Sequence, residues 1–226
     1  KHPKAVIIAL ICQLILLPAL CFGLVLAFDL PPLLAVGMML LAASPGGTTA
    51  NLYSHLFRGD VALNISLTAI NSVIAVVTLP LIVNLSIGFF MPGEGELGIQ
   101  FVKAIEVFAI VLLPVVLGML VRCWKSSFAD RMDKPVRIAS VIILVVVIVG
   151  AVVANLQALL DNALALAGIT ILFCVISLTI GFFVPRMLRV SRPQAVASSF
   201  EIGIHNATLA IVMAQTALGN FELSLP

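Results

Sequence analysis

The run Ser198 to Ala207, SSFEIGIHNA, sets one carboxylate, Glu201, and a glycine-and-polar interruption, Gly203, His205 and Asn206, between apolar segments. Val196 and Ala197 precede it and Leu209 to Met213 follow, so the acid lies well inside a membrane-grade stretch. Holding an acid at mid-bilayer depth costs roughly 2.5 to 3.5 kcal/mol even on the mildest scale, which marks Glu201 as a functional residue. A second interruption, Ser44 to Asn51 (SPGGTTAN), lies in the first half of the chain. Pro45 disfavours helix at Ser44, Gly46 and Gly47 loosen the backbone, and Thr48, Thr49 or Asn51 can cap a new helix. In the second interruption Gly203 allows unwinding and Asn206 caps a half-helix from Ala207. Half-helices meeting inside a bilayer offer N-terminal amides to an anionic group and C-terminal carbonyls to a cation.

Glu201 needs a partner, and no lysine or arginine lies in the middle of a span, since Lys103, Arg122 and Arg137 all sit near the ends of theirs. A hard monovalent cation held by oxygens would serve. Oxygen-bearing candidates are Gln13, Asn51, Asn64, Thr68 and Asn71. Asn64, Thr68 and Asn71 follow at spacings of four and three, so they share one helix face. The plainer reading is a polar seam between helices, worth about 0.6 kcal/mol per contact. For the first interruption it is a proline-glycine kink.

The elements that must position these groups are membrane spans. The chain is 62% hydrophobic and 10% charged, with a mean hydropathy of +1.24. Soluble domains carry roughly 25% charged residues, so this is an all-α polytopic membrane protein whose surroundings are the lipid bilayer. A net charge of +2 is too small to point to nucleic acid. Cys12, Cys21, Cys123 and Cys174 are scattered singly in or beside apolar runs and read as small packing residues. The apolar run after KHPK is too long for a signal-peptide core and reads as a true span.

A bilayer core of about 30 Å takes about twenty helical residues. Seven stretches approach that length: Ala5 to Phe28, Pro32 to Phe57, Val61 to Phe90, Ile99 to Trp124, Val136 to Leu160, Ala163 to Pro185 and Gln194 to Leu218. The second and seventh are the interrupted ones, and Pro18, Pro80 and Pro114 should kink theirs. With the spans alternating, one face collects nearly all the basic residues, from Lys1 and Lys4 through Arg58 to Arg186, Arg189 and Arg192, while the other has Lys103 alone. That split puts Lys1 in the cytoplasm and Pro226 outside, in a multi-pass protein of the cell (inner) membrane. Lys125 to Arg137 reads as a cytoplasmic loop joining two halves, and Pro92 to Gly98 as an outer turn. Glu106 pairs with Lys103 at the interface, His55 faces headgroups, and the run Arg186, Arg189, Arg192 marks topology and lipid contact. The interrupted spans cross the membrane in opposite directions. That is the pattern of an inverted-repeat transporter with discontinuous helices at a midplane site.

KHPKAVII with Gln13, SPGGTTAN, RGDVAL at Arg58 to Leu63, and EIGIHNATLA at Glu201 to Ala210 together resemble the bile acid:sodium symporter family in its bacterial branch. The resemblance implies ten spans in two inverted five-helix repeats, of which this chain would lack the first two and the last. It also implies a core and a panel domain: 1–90 as first-repeat core helices with a crossover at 44–51, 99–160 as panel helices, and 163–226 as second-repeat core helices with a crossover at 203–206. The function implied is uptake of a small organic anion coupled to Na+, with no organic cofactor. One sodium site would use Asn51, Asn64, Thr68 and Glu201. The other would use Gln13, Glu201, the backbone at Ile202 and Ile204, and the position of His205. Thr48 and Asn206 would face the substrate, and Ser44, Pro45, Gly46, Gly47 and Gly203 would form the crossover backbone. Departures from the family pattern are Ala50 and Asn64, where serine is usual, and His205, where glutamine is usual. Imidazole is a poor sodium ligand and titrates near neutral pH.

Three other readings compete. A proton-coupled or non-transporting sodium-binding remnant follows from His205 and from the absent spans. A seven-helix receptor conflicts with a cytoplasmic amino terminus, and the seventh span has no lysine for a Schiff base. An enzyme finds no HExxH, paired intramembrane aspartates or GxSxG, and the adjacent Ser54 and His55 point apart on a helix.

Overall fold

The computed structural model describes residues 3–93, 109, 117, 120–121, 123–154, 156–220 and 222–226. Most of the stretch from Ile99 to Trp124, the Lys103/Glu106 pair, Pro114 and most of the outer turn lie outside the described residues. Helices make up most of the described residues. In the first half, α1 (Pro3–Ile11) leads through a π-helical turn (Cys12–Leu16) into α2 (Leu17–Ala27). Then follow α3 (Pro32–Ala43), α4 (Thr48–Leu56) and α5 (Val61–Phe90). The second half has α6 (Ser126–Ala154), α7 (Leu156–Met187), α8 (Arg192–Gly203) and α9 (Ala207–Val212). A second π-helical turn, Met213–Ala217, extends α9. Among the described residues, three helical stretches are long and apolar enough to cross a membrane: Pro3–Ala27, Val61–Phe90 and Leu159–Met187.

The fold is that of an all-α polytopic membrane protein, with differences in detail from the sequence reading. Lys125 to Arg137 is not a loop: α6 starts at Ser126 and carries the polar segment, Pro135 included, into the apolar one. The polarity of the segment does not break the helix. The polar residues between the fifth and sixth stretches are likewise helical, lying inside α7, where Gln157 Nε2 donates to Asp161 Oδ1 at 3.2 Å across one turn. The distortion near Pro18 takes the form of the π-helical turn before it, where Leu17 N–H reaches back to Cys12 O. At Pro80, by contrast, α5 runs on unbroken. Cys12 and Cys21 are buried and Cys174 is half-buried, as packing residues are, whereas Cys123 is exposed beside the exposed Trp124 at the polar edge of its stretch.

Helix ends recur in matching form in the two halves. Asp29 (φ 47) ends the α2 segment with Leu30 N–H on Val25 O at 3.4 Å, and Arg189 (φ 61) ends α7 with Val190 N–H on Pro185 O at 2.9 Å. In each case a buried aliphatic, Leu30 or Val190, follows, and a proline in the first turn starts the next helix. The interrupted spans close alike as well: Arg58 (φ 57) ends α4, and Gly219 (φ 65) follows the turn that extends α9.

Packing is tightest where α8 lies on α7. Small residues allow the approach, and Ser199 Oγ donates to Leu178 O at 2.7 Å. A Cβ at Gly181 would lie 2.8 Å from Ser199 Cα and 3.0 Å from Ser198 O, both backbone atoms that cannot swing aside. One apolar cluster gathers Leu17, Leu67, Phe173 and Ile202, and another gathers Leu40, Leu79, Leu209 and Met213. Outward apolar side chains such as Ile7, Val73 and Ile171 are exposed, as lipid-facing residues are.

Gly181→Ala is therefore expected to cost about 1–3 kcal/mol by overpacking, lowering the midpoint of thermal unfolding in detergent. Gly88→Ala, where a Cβ meets nothing within 4 Å, should leave the midpoint unchanged or raise it.

Candidate functional site

The two interruptions meet. Pro45 forces Ser44 into an extended conformation (φ −69, ψ 140), which ends α3. Ser44 Oγ donates to Leu40 O at 2.9 Å and Ser44 N–H to Leu41 O at 3.1 Å, pairing carbonyls that the ending helix leaves open. Gly47 is extended too (φ −83, ψ 161), and α4 begins after it. On the other strand of chain, α8 ends at Gly203 and α9 begins at Ala207. Between them Gly47 N–H donates to Ile204 O at 2.8 Å and Asn206 N–H to Pro45 O at 2.9 Å. These two bonds form an isolated antiparallel bridge centred on Gly46 and His205.

The bridge changes the expected capping. Gly47, not Thr48, Thr49 or Asn51, holds the N-cap position of α4, with no side-chain cap bond. Its amide is committed to the bridge, and the helix starts at Thr48. Asn206 does cap α9, its Oδ1 accepting from Leu209 N–H at 3.0 Å. That bond engages the side-chain oxygen of a residue expected to face substrate.

Glu201 lies three residues before the bridge and is fully buried. Its carboxylate sits directly on Gly46: a Cβ there would come within 2.5 Å of Oε1. Two side chains of α5 donate to it, Thr68 Oγ1 to Oε2 at 2.6 Å and Asn71 Nδ2 to Oε1 at 3.2 Å. Thr68 Oγ1 is also 3.1 Å from Asn64 O, but a hydroxyl has one proton, and the short contact to the carboxylate takes it.

The other expected residues surround this centre in different ways. Asn64 is fully buried and does not reach Glu201; its Nδ2 donates to Ser54 Oγ at 2.7 Å. Gln13, on the π-helical turn, donates from Nε2 to Ser44 O at 3.0 Å. Ile202 is buried, and Ile204 gives its carbonyl to the bridge, which leaves one lone pair on that oxygen. His205 stacks on Phe173, with ring centroids 5.0 Å apart and planes at 12°. Neither of its buried ring nitrogens makes a hydrogen bond of good geometry. Sequence reasoning missed the bridge, Phe173 and the Ser54 contact. The structure buries Ser54 and exposes His55, so the two do not act as a nucleophile and its base.

Among the described residues, four buried amide oxygens have no donor: Gln13 Oε1, Asn51 Oδ1, Asn64 Oδ1 and Asn71 Oδ1. A buried acceptor left unpaired costs about 1–3 kcal/mol, so four on elements packed about one bridge call for a common explanation. The Glu201 carboxylate and these amide oxygens are electron-rich, oxygen-only groups of the kind a hard cation prefers.

A family model for the sodium bile acid symporter family matches residues 1–162, a span that includes the first interruption. Relatives align across both interruptions. An uncharacterized sodium-dependent transporter of Bacillus subtilis is 30% identical over 215 residues, which is 95% of this chain and 65% of that protein. A probable chloroplastic sodium/metabolite cotransporter of Arabidopsis thaliana is 26% identical, covering 99% of this chain and 55% of its own. The human ileal sodium/bile acid cotransporter is 25% identical over all of this chain and 64% of its own length. The chain thus spans less than two thirds of each of these relatives. With the family model covering well over half of its residues, the chain belongs to the sodium bile acid symporter family.

Proposed function

We propose that this chain supplies the crossover region of a secondary active transporter that carries a small organic anion together with Na+ by alternating access. The observation that carries the reading is the buried Glu201 carboxylate beside the Gly46/His205 bridge, flanked by amide oxygens that no donor satisfies. The names of the relatives, which speak of sodium-dependent transport and of bile acid or metabolite cotransport, support it.

In this reading sodium is cargo, not a resident cofactor. Glu201, Thr68, Asn64 and Asn51 hold one ion; Gln13, Glu201, the backbone at Ile202 and Ile204, and His205 border a second. The anionic substrate meets Thr48 and Asn206 at the starts of α4 and α9, where helix amides favour negative charge. Sodium brings positive charge to Glu201 and pairs the open amide oxygens, so occupancy stabilises the crossover in the form that accepts substrate. Residues 1–90 and 163–226 move as a core against panel helices in 99–160. Lys1 lies on the cytoplasmic face of the inner membrane and Pro226 on the opposite face.

Glu201→Ala in the full-length protein is expected to reduce uptake of a labelled bile acid to its sodium-free level, with expression at the membrane unchanged. Sodium-dependent uptake at the wild-type rate would overturn the proposal. Gly46→Ala, which drives a methyl group into the carboxylate, should cut the same uptake at least tenfold and abolish the rise in unfolding midpoint on replacing potassium with sodium. His205 favours a second reading in which the second position binds sodium weakly, since imidazole offers nitrogen where sodium prefers oxygen. His205→Gln is then expected to lower the half-saturating sodium concentration several-fold and raise the Hill coefficient for sodium toward two. An unchanged sodium dependence would remove His205 from the site.

A further inference from the structure

The turn between α4 and α5 and the turn between α7 and α8 are far apart in sequence but joined in space, since Asp60 N–H donates to Pro193 O at 2.9 Å. Gly59 permits the contact: a Cβ there would lie 3.0 Å from Val196 Cγ1 and 3.2 Å from Ala197 N. The juncture brings the segments of Arg58, Arg189 and Arg192 together, and all three arginines are exposed. Asp60, the acid among them, already accepts Leu63 N–H through Oδ1 at 3.0 Å.

Two of these arginines occupy left-handed positions, Arg58 at φ 57 and Arg189 at φ 61, where glycine would sit without strain. The matching turns in the other half are made with Asp29 and Gly219, so this backbone geometry does not call for arginine. What the positions retain at the expense of strain is the guanidinium itself. Around it, Phe57, Met187 and Leu188 are exposed at 62%, 80% and 47%, apolar side chains placed where a bilayer would cover them. Arg186, by comparison, turns back to cap its own helix end, Nη1 donating to Val190 O at 2.8 Å.

We propose that Arg58, Arg189 and Arg192 form a binding site for the phosphate headgroup of an anionic membrane lipid, assembled where these two turns are tied together. Guanidinium groups pair with phosphate oxygens through planar, two-pronged hydrogen bonds, and the surrounding apolar side chains lie against the lipid's acyl chains. The site is independent of sodium coupling, and it ties one turn of each half of the chain to the same bilayer leaflet.

The test uses the full-length protein in detergent, titrated with phosphatidylglycerol or phosphatidylcholine and read by native mass spectrometry and by the unfolding midpoint. The variant R58G/R189G/R192Q keeps the left-handed turns, because glycine takes positive φ freely, while removing the charges. Phosphatidylglycerol should be retained in preference to phosphatidylcholine and raise the midpoint, and the triple variant should bind it at least tenfold more weakly. K125Q/K134Q, neutralising other basic residues of the chain, should bind it as the wild type does. Equal retention of the two lipids, undiminished binding by the triple variant, an equal loss in K125Q/K134Q, or the same stabilisation by inorganic phosphate would each overturn the proposal.

Discussion

An interrupted helix inside a bilayer must find partners for the amides and carbonyls it no longer pairs, because lipid offers none. Everything at the centre of this protein follows from how that demand is met. Each interruption supplies one donor and one acceptor to the other: Gly47 and Pro45 from the first half, Asn206 and Ile204 from the second. Two hydrogen bonds thus replace water where these two irregular segments cross. The side-chain cap of Asn206 and the back-bond of Ser44 take up further open groups, so the crossing is stable without being helical.

Glu201 depends on that arrangement more than on its own helix. The bridge places Gly46 against its carboxylate, and only a residue without a side chain fits there. Thr68 and Asn71 then reach it from α5, a helix with no break of its own. The carboxylate therefore reports on three elements at once. The open amide oxygens nearby belong to residues whose nitrogens are already engaged, as in Gln13, Asn64 and Asn71. Holding an amide by its nitrogen aims its oxygen elsewhere, which is how a protein orients oxygen ligands without spending further residues on them.

Much of this was legible in the sequence because membranes punish exceptions. An acid in an apolar run and a Pro-Gly-Gly in a span stand out, and of Asn64, Thr68 and Asn71 on one face of α5 the last two donate to Glu201 while Asn64 turns to Ser54. Pairing across the crossing was not legible: two residues a side have no alternating pattern, and their partners lie about 160 residues apart. The caps expected at Thr48 to Asn51 failed for the same reason, since Gly47 was serving a partner that local rules cannot see. Polarity was also mistaken for irregularity at Lys125 to Arg137, where the charged residues of α6 are fully compatible with helix.

The bridge also imposes an order in time. Ribosomes add roughly 5 to 20 residues per second, so Pro45 and Gly47 emerge about 8 to 30 s before Ile204 and Asn206 exist to pair with them. Throughout that interval the first interruption has an open amide and an open carbonyl at membrane depth. The closure joins backbone segments made about 160 residues apart, and any slowing of translation between them lengthens that interval.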